Sequence, residues 1–279
     1  AYFGEAHFAE NTWFSEAQFD GGVDFSAAHF GADVYFSEAH FHDSAYFNGA
    51  HFHGGADFNE AHFNDSARFS DGNFKGTTIF SGAKFLQPPE FHQASLHQDT
   101  SFHAADFSGA RAVVGDDAAR AWRRLKVLMN DAHAHEGELR FFGYEISVRG
   151  RMARWPVNWL YGLYDVLSDY GRSIGLPVVW LAMLTVIFGL AYHGVLDRPD
   201  LVDRGQFQED VASFTLGNVL PAVGGLNPAR RDLYKRLFDD GKGIDIPFGI
   251  ELLSIVQGAS GIMLFFLLSL GIRNRFRIK

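Results

Sequence analysis

Phenylalanine recurs through the first 110 residues at a spacing that alternates five and six, and this period restricts the fold more than any other feature. It occupies positions 3, 8, 14, 19, 25, 30, 36, 41, 47, 52, 58, 63, 69, 74, 80, 85, 91, 102 and 107, with Leu96 filling the one gap. The repeat is therefore eleven residues long and occurs ten times. Two places before the large residue there is usually a small one, from Ala1, Ala6, Thr12 and Ala17 to Ala94, Thr100 and Ala105. The consensus reads A-x-F-[SN]-x-A-x-F-x-x-x.

Eleven residues is also the period of a right-handed helical coiled coil. At about 98° per residue, Phe positions five apart fall about 131° apart around a helix, so no single apolar stripe forms. Gly, Asn, Ser and Asp fill the intervening places. In an extended segment, residues two apart share a face. Each Ala-x-Phe then turns both side chains inward, and the polar residues between units make corners.

This pattern resembles the pentapeptide-repeat family of bacterial proteins, and the resemblance covers residues 1–110. It implies an N-terminal right-handed quadrilateral β-solenoid, with Phe as the central inward residue and the small residue two places before it as the other. The sixth residue in alternate units widens alternate corners. Two units, 22 residues, make one coil. Ten units make about five coils, and at ~4.8 Å per rung the rod is roughly 24 Å long. An open solenoid end exposes backbone and apolar rungs, so a helix after Ala110 is expected to cap one end. The chain starts at Ala1, in phase with the repeat and without Met, which reads as a fragment lacking a first segment.

Charge divides the chain at the same point. Residues 1–110 carry 15 acids against Arg68, Lys75 and Lys84, and the remainder carries 18 acids against 21 bases. The acidity belongs to the repeat alone, as either an electrostatic surface for a basic partner or a solvated, aggregation-resistant one. His7, His29 and His51 lie 22 apart, as do His40 and His62, so each set stacks on one outward face. Such a ladder is either a metal or pH-sensing device or a tolerated surface residue copied with the repeat. No metal site or cofactor is expected. The chain has no cysteine, which excludes disulfides and thiol chemistry.

From Asp116 the pattern becomes helical: Ala118, Trp122, Leu125, Leu128 and Met129 recur at three and four. Gly137 interrupts, and Leu139–Arg154 resumes, giving a helical linker over 111–154 with its turn near His133 and His135. Trp155, Trp159, Tyr161, Tyr164 and Tyr170 then mark an interfacial helix within 155–172, with Arg149, Arg151, Arg154 and Arg172 near lipid phosphates.

Residues 173–195 and 248–271 are apolar enough for two transmembrane helices, each about 21 residues or ~31 Å long at the centre. Bases flank their outer ends, including Arg273, Arg275, Arg277 and Lys279 in a basic tail over 272–279. The positive-inside rule places both termini and the solenoid in the cytoplasm, at the inner membrane of a bacterium. In the loop over 196–247, Phe207–Gly217 reads as a short helix with Glu209 and Asp210 in its first turn, ending at Gly217-Asn218 before Val219-Leu220-Pro221. Span, short helix, Gly-rich turn and span resemble the layout of two-helix pore-loop channels, without the potassium filter T-V-G-Y-G. The alternative is an ordinary extracytoplasmic helix and loop.

The expected roles follow from that layout. Thr215, Gly217, Asn218, Val219 and Pro221 form the constriction. Glu251, Ser254, Gln257, Gly258 and Gly261 line the pore. Phe265 and Leu268 gate it. The same small residues equally suit close helix packing through Ser254-x-x-x-Gly258. One subunit supplies too little wall for a pore, so the channel reading needs a homo-oligomer, by analogy a tetramer, favouring cations. The rival reading is a membrane-anchored scaffold whose solenoid docks a protein partner. Some pentapeptide-repeat proteins mimic DNA and bind gyrase, but a bilayer anchor argues against that here, and no nucleic-acid partner is expected. There is no phosphate loop, nucleophile elbow or metalloprotease helix, so no catalytic residue is assigned and an enzyme is not expected.

Overall fold

The computed structural model describes residues 1–196, 204–219, 228–238 and 246–276. Pro221 of the expected constriction lies outside the described residues, as do Arg277 and Lys279. The chain divides into two compact units, Ala1–Gly162 and Leu163–Lys279.

The first unit opens with a four-sided parallel β-solenoid of two-residue strands, each hydrogen-bonded to strands 22 residues away. One face pairs His7 with His29, His51 and Asn73 in turn, and another pairs Gln18 with His40, His62 and Lys84. Regular strands build about four turns, and isolated bridges such as Asn73 to Ser95 and Lys84 to Asp106 carry the ladders one rung further. The inward residues are those the period predicts: from Val23 to Phe91 the Phe and small-residue rungs are almost wholly buried. Rings one coil apart stack nearly parallel in four columns, with centroid spacings from 4.4 Å (Phe52–Phe74) to 5.2 Å (Phe85–Phe107). Neighbouring columns meet edge to face, as at Phe25 and Phe36, 5.4 Å apart. This is the offset that ring quadrupoles favour.

Corners alternate, as the spacing requires. The tight ones are β-turns in which Ala6 N–H donates to the Phe3 carbonyl and Glu5 is left-handed at φ 59°. The same conformation recurs every eleven residues through Glu16, Ala27, Glu38, Gly49 and Glu60 to Ala104. From Glu5 to Gly82 it turns the N–H group toward the next coil, as from Glu16 to the Ser37 carbonyl at 2.8 Å. At the wide corner that holds Gly76 the coils come close, since a Cβ there would lie 2.2 Å from the Gly54 carbonyl oxygen.

Two helices close the last coil. Helix α1 (Asp116–Asp131) starts with Asp116 and Asp117, and α2 (His135–Met152) starts with Glu136 and Glu138 and ends with Arg149 and Arg151, both matched to the helix dipole. The break between them falls at Ala132–Ala134, where His133 is left-handed, and not at Gly137. Gly137 lies in the first turn of α2 because its bare Cα lets Met129 approach: a Cβ there would be 2.9 Å from Met129 Cγ. Trp122 packs edge-on to Phe107 at 5.4 Å and Phe141 to Phe102 at 5.7 Å, which continues the aromatic stack into the cap.

The carbonyls of the final rung have no further coil to pair with, and arginines take its place. Arg124 donates to the carbonyls of Phe91 and Ala94 at 3.2 and 2.7 Å. Arg140 donates to those of Phe102 and Ala105, and lies 5.1 Å from the Phe107 ring. Helices α1 and α2 are joined through Glu145, which is nearly buried and meets Arg123 Nε at 3.0 Å, Lys126 Nζ at 2.8 Å and Arg149 Nη2 at 2.8 Å. Arg149, expected beside lipid phosphate, is thus held first by a carboxylate one turn away.

Candidate functional site

In the second unit, α3 (Val157–Ser168, which begins in the first unit) leads through a turn to α4 (Gly175–Leu196). Then follow α5 (Arg204–Val219), α6 (Pro228–Phe238) and α7 (Phe248–Phe276). Helices α4 and α7 are long and apolar enough to cross a membrane. The turn after α3 is held by Gly171 at φ 77° and by Asn274 Nδ2, which donates to the Gly171 carbonyl at 3.1 Å.

Helix α5 packs against both α4 and α7 through a buried polar cluster. Tyr192 Oη donates to Gln257 Oε1 at 2.9 Å, and Gln257 Nε2 donates to the Thr215 carbonyl at 2.9 Å. Thr215 Oγ1 turns back to the Val211 carbonyl at 2.7 Å. Tyr192 and Gln257 are fully buried, and Thr215 and Asn218 nearly so. In an apolar setting such groups need partners, and Tyr192, Gln257 and Thr215 find theirs within the unit. Around the cluster lie Leu196, Val211, Phe214, Leu233, Leu237, Phe238 and Ile250. Asp210 receives both Arg236 Nε and Nη2, at 3.0 and 2.9 Å, which joins α5 to α6.

The residues expected at a pore are distributed differently. Helix α5 continues through Gly217 and Asn218 to Val219, so Thr215, Gly217, Asn218 and Val219 are helical and do not form a turn. Its start at Arg204 moves Glu209 and Asp210 out of the first turn, and Asp210 answers Arg236 instead of the helix dipole. Gln257, expected in a wet vestibule, is consumed by Tyr192 and Thr215. Gly258 and Gly261 are buried in the same packing, where a Cβ on Gly261 would come within 2.3 Å of the Val219 carbonyl oxygen. Glu251 and Phe265 lie on the exposed side of α7, and Ser254 and Leu268 are half-buried. The expected lining stripe is therefore split, because the buried face runs through Ile250, Gln257, Gly261, Leu264, Leu267 and Gly271. Tyr192, Arg124, Arg140 and Glu145 carry structural roles that periodicity did not single out, since each has partners distant in the chain.

On the solenoid surface the histidines do stack. His7 and His29 lie 4.5 Å apart centre to centre, His29 and His51 4.6 Å, and His40 and His62 4.5 Å. Partial burial, then the neighbouring His51 and His7, hold the His29 imidazole below its ordinary pKa. Burial also lowers His62, reinforced by His40 and Lys84 and opposed by Glu60. Among the described residues, no group of three or more His, Asp or Glu side chains is placed to hold a metal ion.

The family model for pentapeptide repeats (9 copies) matches residues 3–50, 25–73 and 36–84. No curated protein and no solved structure matches the chain. The N-terminal domain is a β-solenoid of pentapeptide repeats, followed by a helical region with two helices long and apolar enough to span a membrane.

Proposed function

We propose that this protein is a membrane-anchored scaffold that displays its acidic β-solenoid to a protein partner. One observation carries the reading: Tyr192, Gln257 and Thr215 are paired with one another inside the second unit, while the outward faces of α4 and α7 are apolar. Val179, Val186, Ile187 and Leu190 on α4 and Ile255, Ile262 and Phe266 on α7 are all more than half exposed. A core helix of a soluble protein would be mostly buried, but only 11% of the apolar stretch of α4 and 28% of that of α7 is covered. Lipid is the solvent that tolerates such faces. Two crossings return the chain to its starting side. Arg149, Arg151, Arg154 and Arg172 before α4, with Arg273 and Arg275 in the last turns of α7, favour the cytoplasm for that side. The net charge of −12 over residues 1–110 suits a partner with a basic surface.

A second reading, a homo-oligomeric channel, is favoured by the placement of α5 against both apolar helices and by Glu251 and Phe265 on the exposed side of α7. In a ring of copies, tetrameric by analogy, these two residues would face the shared axis. Membranes bearing the full chain, washed with alkaline carbonate and then fused to planar bilayers, test both. Retention without conductance at any voltage, tension or divalent-ion concentration supports the scaffold. Conductance altered by Glu251→Gln establishes the channel instead, and release by carbonate overturns both.

A further inference from the structure

A shallow cleft of about 470 Å3 opens between α1 and the end of α2, lined by Asp116, Ala119, Arg120, Arg123, Arg149 and Met152. The charges on and behind its wall do not balance. Arg123 and Arg149 meet on the same oxygen, Glu145 Oε1, at 3.0 and 2.8 Å, while Lys126 takes the other oxygen at 2.8 Å. One carboxylate therefore answers three cations. Arg120 adds a fourth at the rim, paired with Asp117, and Asp116 lines the same cleft. Arg149 Nε is buried and has no hydrogen-bond partner. A buried donor of this kind needs an acceptor, and a guanidinium is shaped for phosphate oxygens.

The chain next to the cleft carries the second half of the argument. Directly after α2, Trp155 and Trp159 are 82% and 61% exposed, with Val157 exposed between them. Tyr161 packs onto Gly150, where a Cβ would be 2.7 Å from Tyr161 Cβ, so the start of α3 is held against the end of α2. Indole rings favour the depth of lipid headgroups, and Arg151 and Arg154, next to them in the chain, add exposed charge.

We propose that the Arg120–Arg123–Arg149 cleft binds the phosphate of an anionic phospholipid headgroup, with Trp155 and Trp159 seated in the same leaflet. The proposal rests on the membrane reading above. It goes beyond it by assigning a lipid class and a site.

Native mass spectrometry of the purified full chain, offered phosphatidylglycerol, phosphatidylcholine or inorganic phosphate, reads the retained ligand. Phosphatidylglycerol is expected to be held over phosphatidylcholine, and each arginine removed from the cleft to weaken that retention about fivefold. Arg149→Gln risks unfolding the cap, because Glu145 loses a partner. Arg149→Lys keeps a positive charge beside Glu145 but replaces the guanidinium, and with it the Nε donor, by an ammonium, and Arg120→Gln leaves Glu145 untouched; both are expected to lose phosphatidylglycerol selectively. Equal retention of the two lipids, or unchanged retention in both variants, overturns the site. Retention of inorganic phosphate in preference to phosphatidylglycerol assigns the cleft to a free anion and overturns the lipid. A chain that resists carbonate extraction but shows no headgroup preference sinks this inference alone, whereas release by carbonate sinks the membrane reading beneath it.

Discussion

Gly261 lies directly against the Val219 carbonyl, so close that a Cβ at 261 would stand 2.3 Å from that oxygen. The contact seats the C-terminal end of α5 on α7 beside the Tyr192–Gln257–Thr215 cluster. Because the neighbouring atom is backbone, it cannot swing aside. Gly261→Ala is expected to lower stability by about 1–3 kcal/mol, read as a fall in the thermal midpoint of the detergent-solubilised chain. An unchanged midpoint would mean that α5 does not dock there.

Tyr192→Phe removes the hydroxyl that Gln257 accepts while keeping the ring against Phe214 at 5.0 Å. Buried hydrogen bonds between membrane helices average about 0.6 kcal/mol, so the loss should be modest. Gln257→Leu should cost more, because it strands both the Tyr192 hydroxyl and the Thr215 carbonyl. A double-mutant cycle on the thermal midpoints checks the coupling; additive effects would break the cluster apart.

In the solenoid, two glycines are constrained for different reasons, and Gly76 is expected to be the more costly to replace. Gly76→Ala places a methyl 2.2 Å from the Gly54 oxygen and should cost about 1–3 kcal/mol. Gly49 is left-handed at φ 65° but has open space around it, and Ala27 and Ala104 adopt the same conformation at equivalent corners. Gly49→Ala should therefore cost about 1–2 kcal/mol at most. Urea unfolding followed by circular dichroism separates them, and a reversed order would put the strain in the dihedral and not in the coil-to-coil approach.

Arg140 replaces the missing rung at the capped end. Arg140→Gln loses the donors to the Phe102 and Ala105 carbonyls and the stack over Phe107. The expected cost is about 1–3 kcal/mol, with faster hydrogen exchange confined to the last coil and α2. Exchange that rises evenly through the solenoid would contradict a capping role.

The stacked histidines give the solenoid a pH dependence with a definite sign. His29 and His62 are held below the ordinary value of about 6.5. The unfolded chain therefore takes up protons that the folded one refuses. The stabilisation is whole above that value, declines as pH falls from it toward the lowered folded values, and levels off beneath them. Hydrogen exchange of the solenoid amides from pH 7.5 to 5 reads the decline, and His29→Gln should flatten it. A decline of the same size in that variant would place its origin elsewhere.

Much of this protein was legible in the residue order because its contacts repeat in sequence. In a solenoid each coil touches only its neighbours, so a Phe at i and a Phe at i+22 declare their stacking by spacing alone. Ala-x-Phe set which side chains turn inward, the five-six alternation set the corners, and apolar length marked α4 and α7. What the tertiary structure decided are contacts that no period announces. Helix α7 is apolar nearly all round, so nothing local tells that Gln257 turns inward and Phe265 outward. That choice is made by Tyr192, 65 positions away. Arg124 reads as one more surface charge until the carbonyls of Phe91 and Ala94 are brought to it by the fold. The difference is physical: stacking of identical rungs is encoded wherever the pattern recurs, whereas a buried polar group is placed only once its particular partner has arrived.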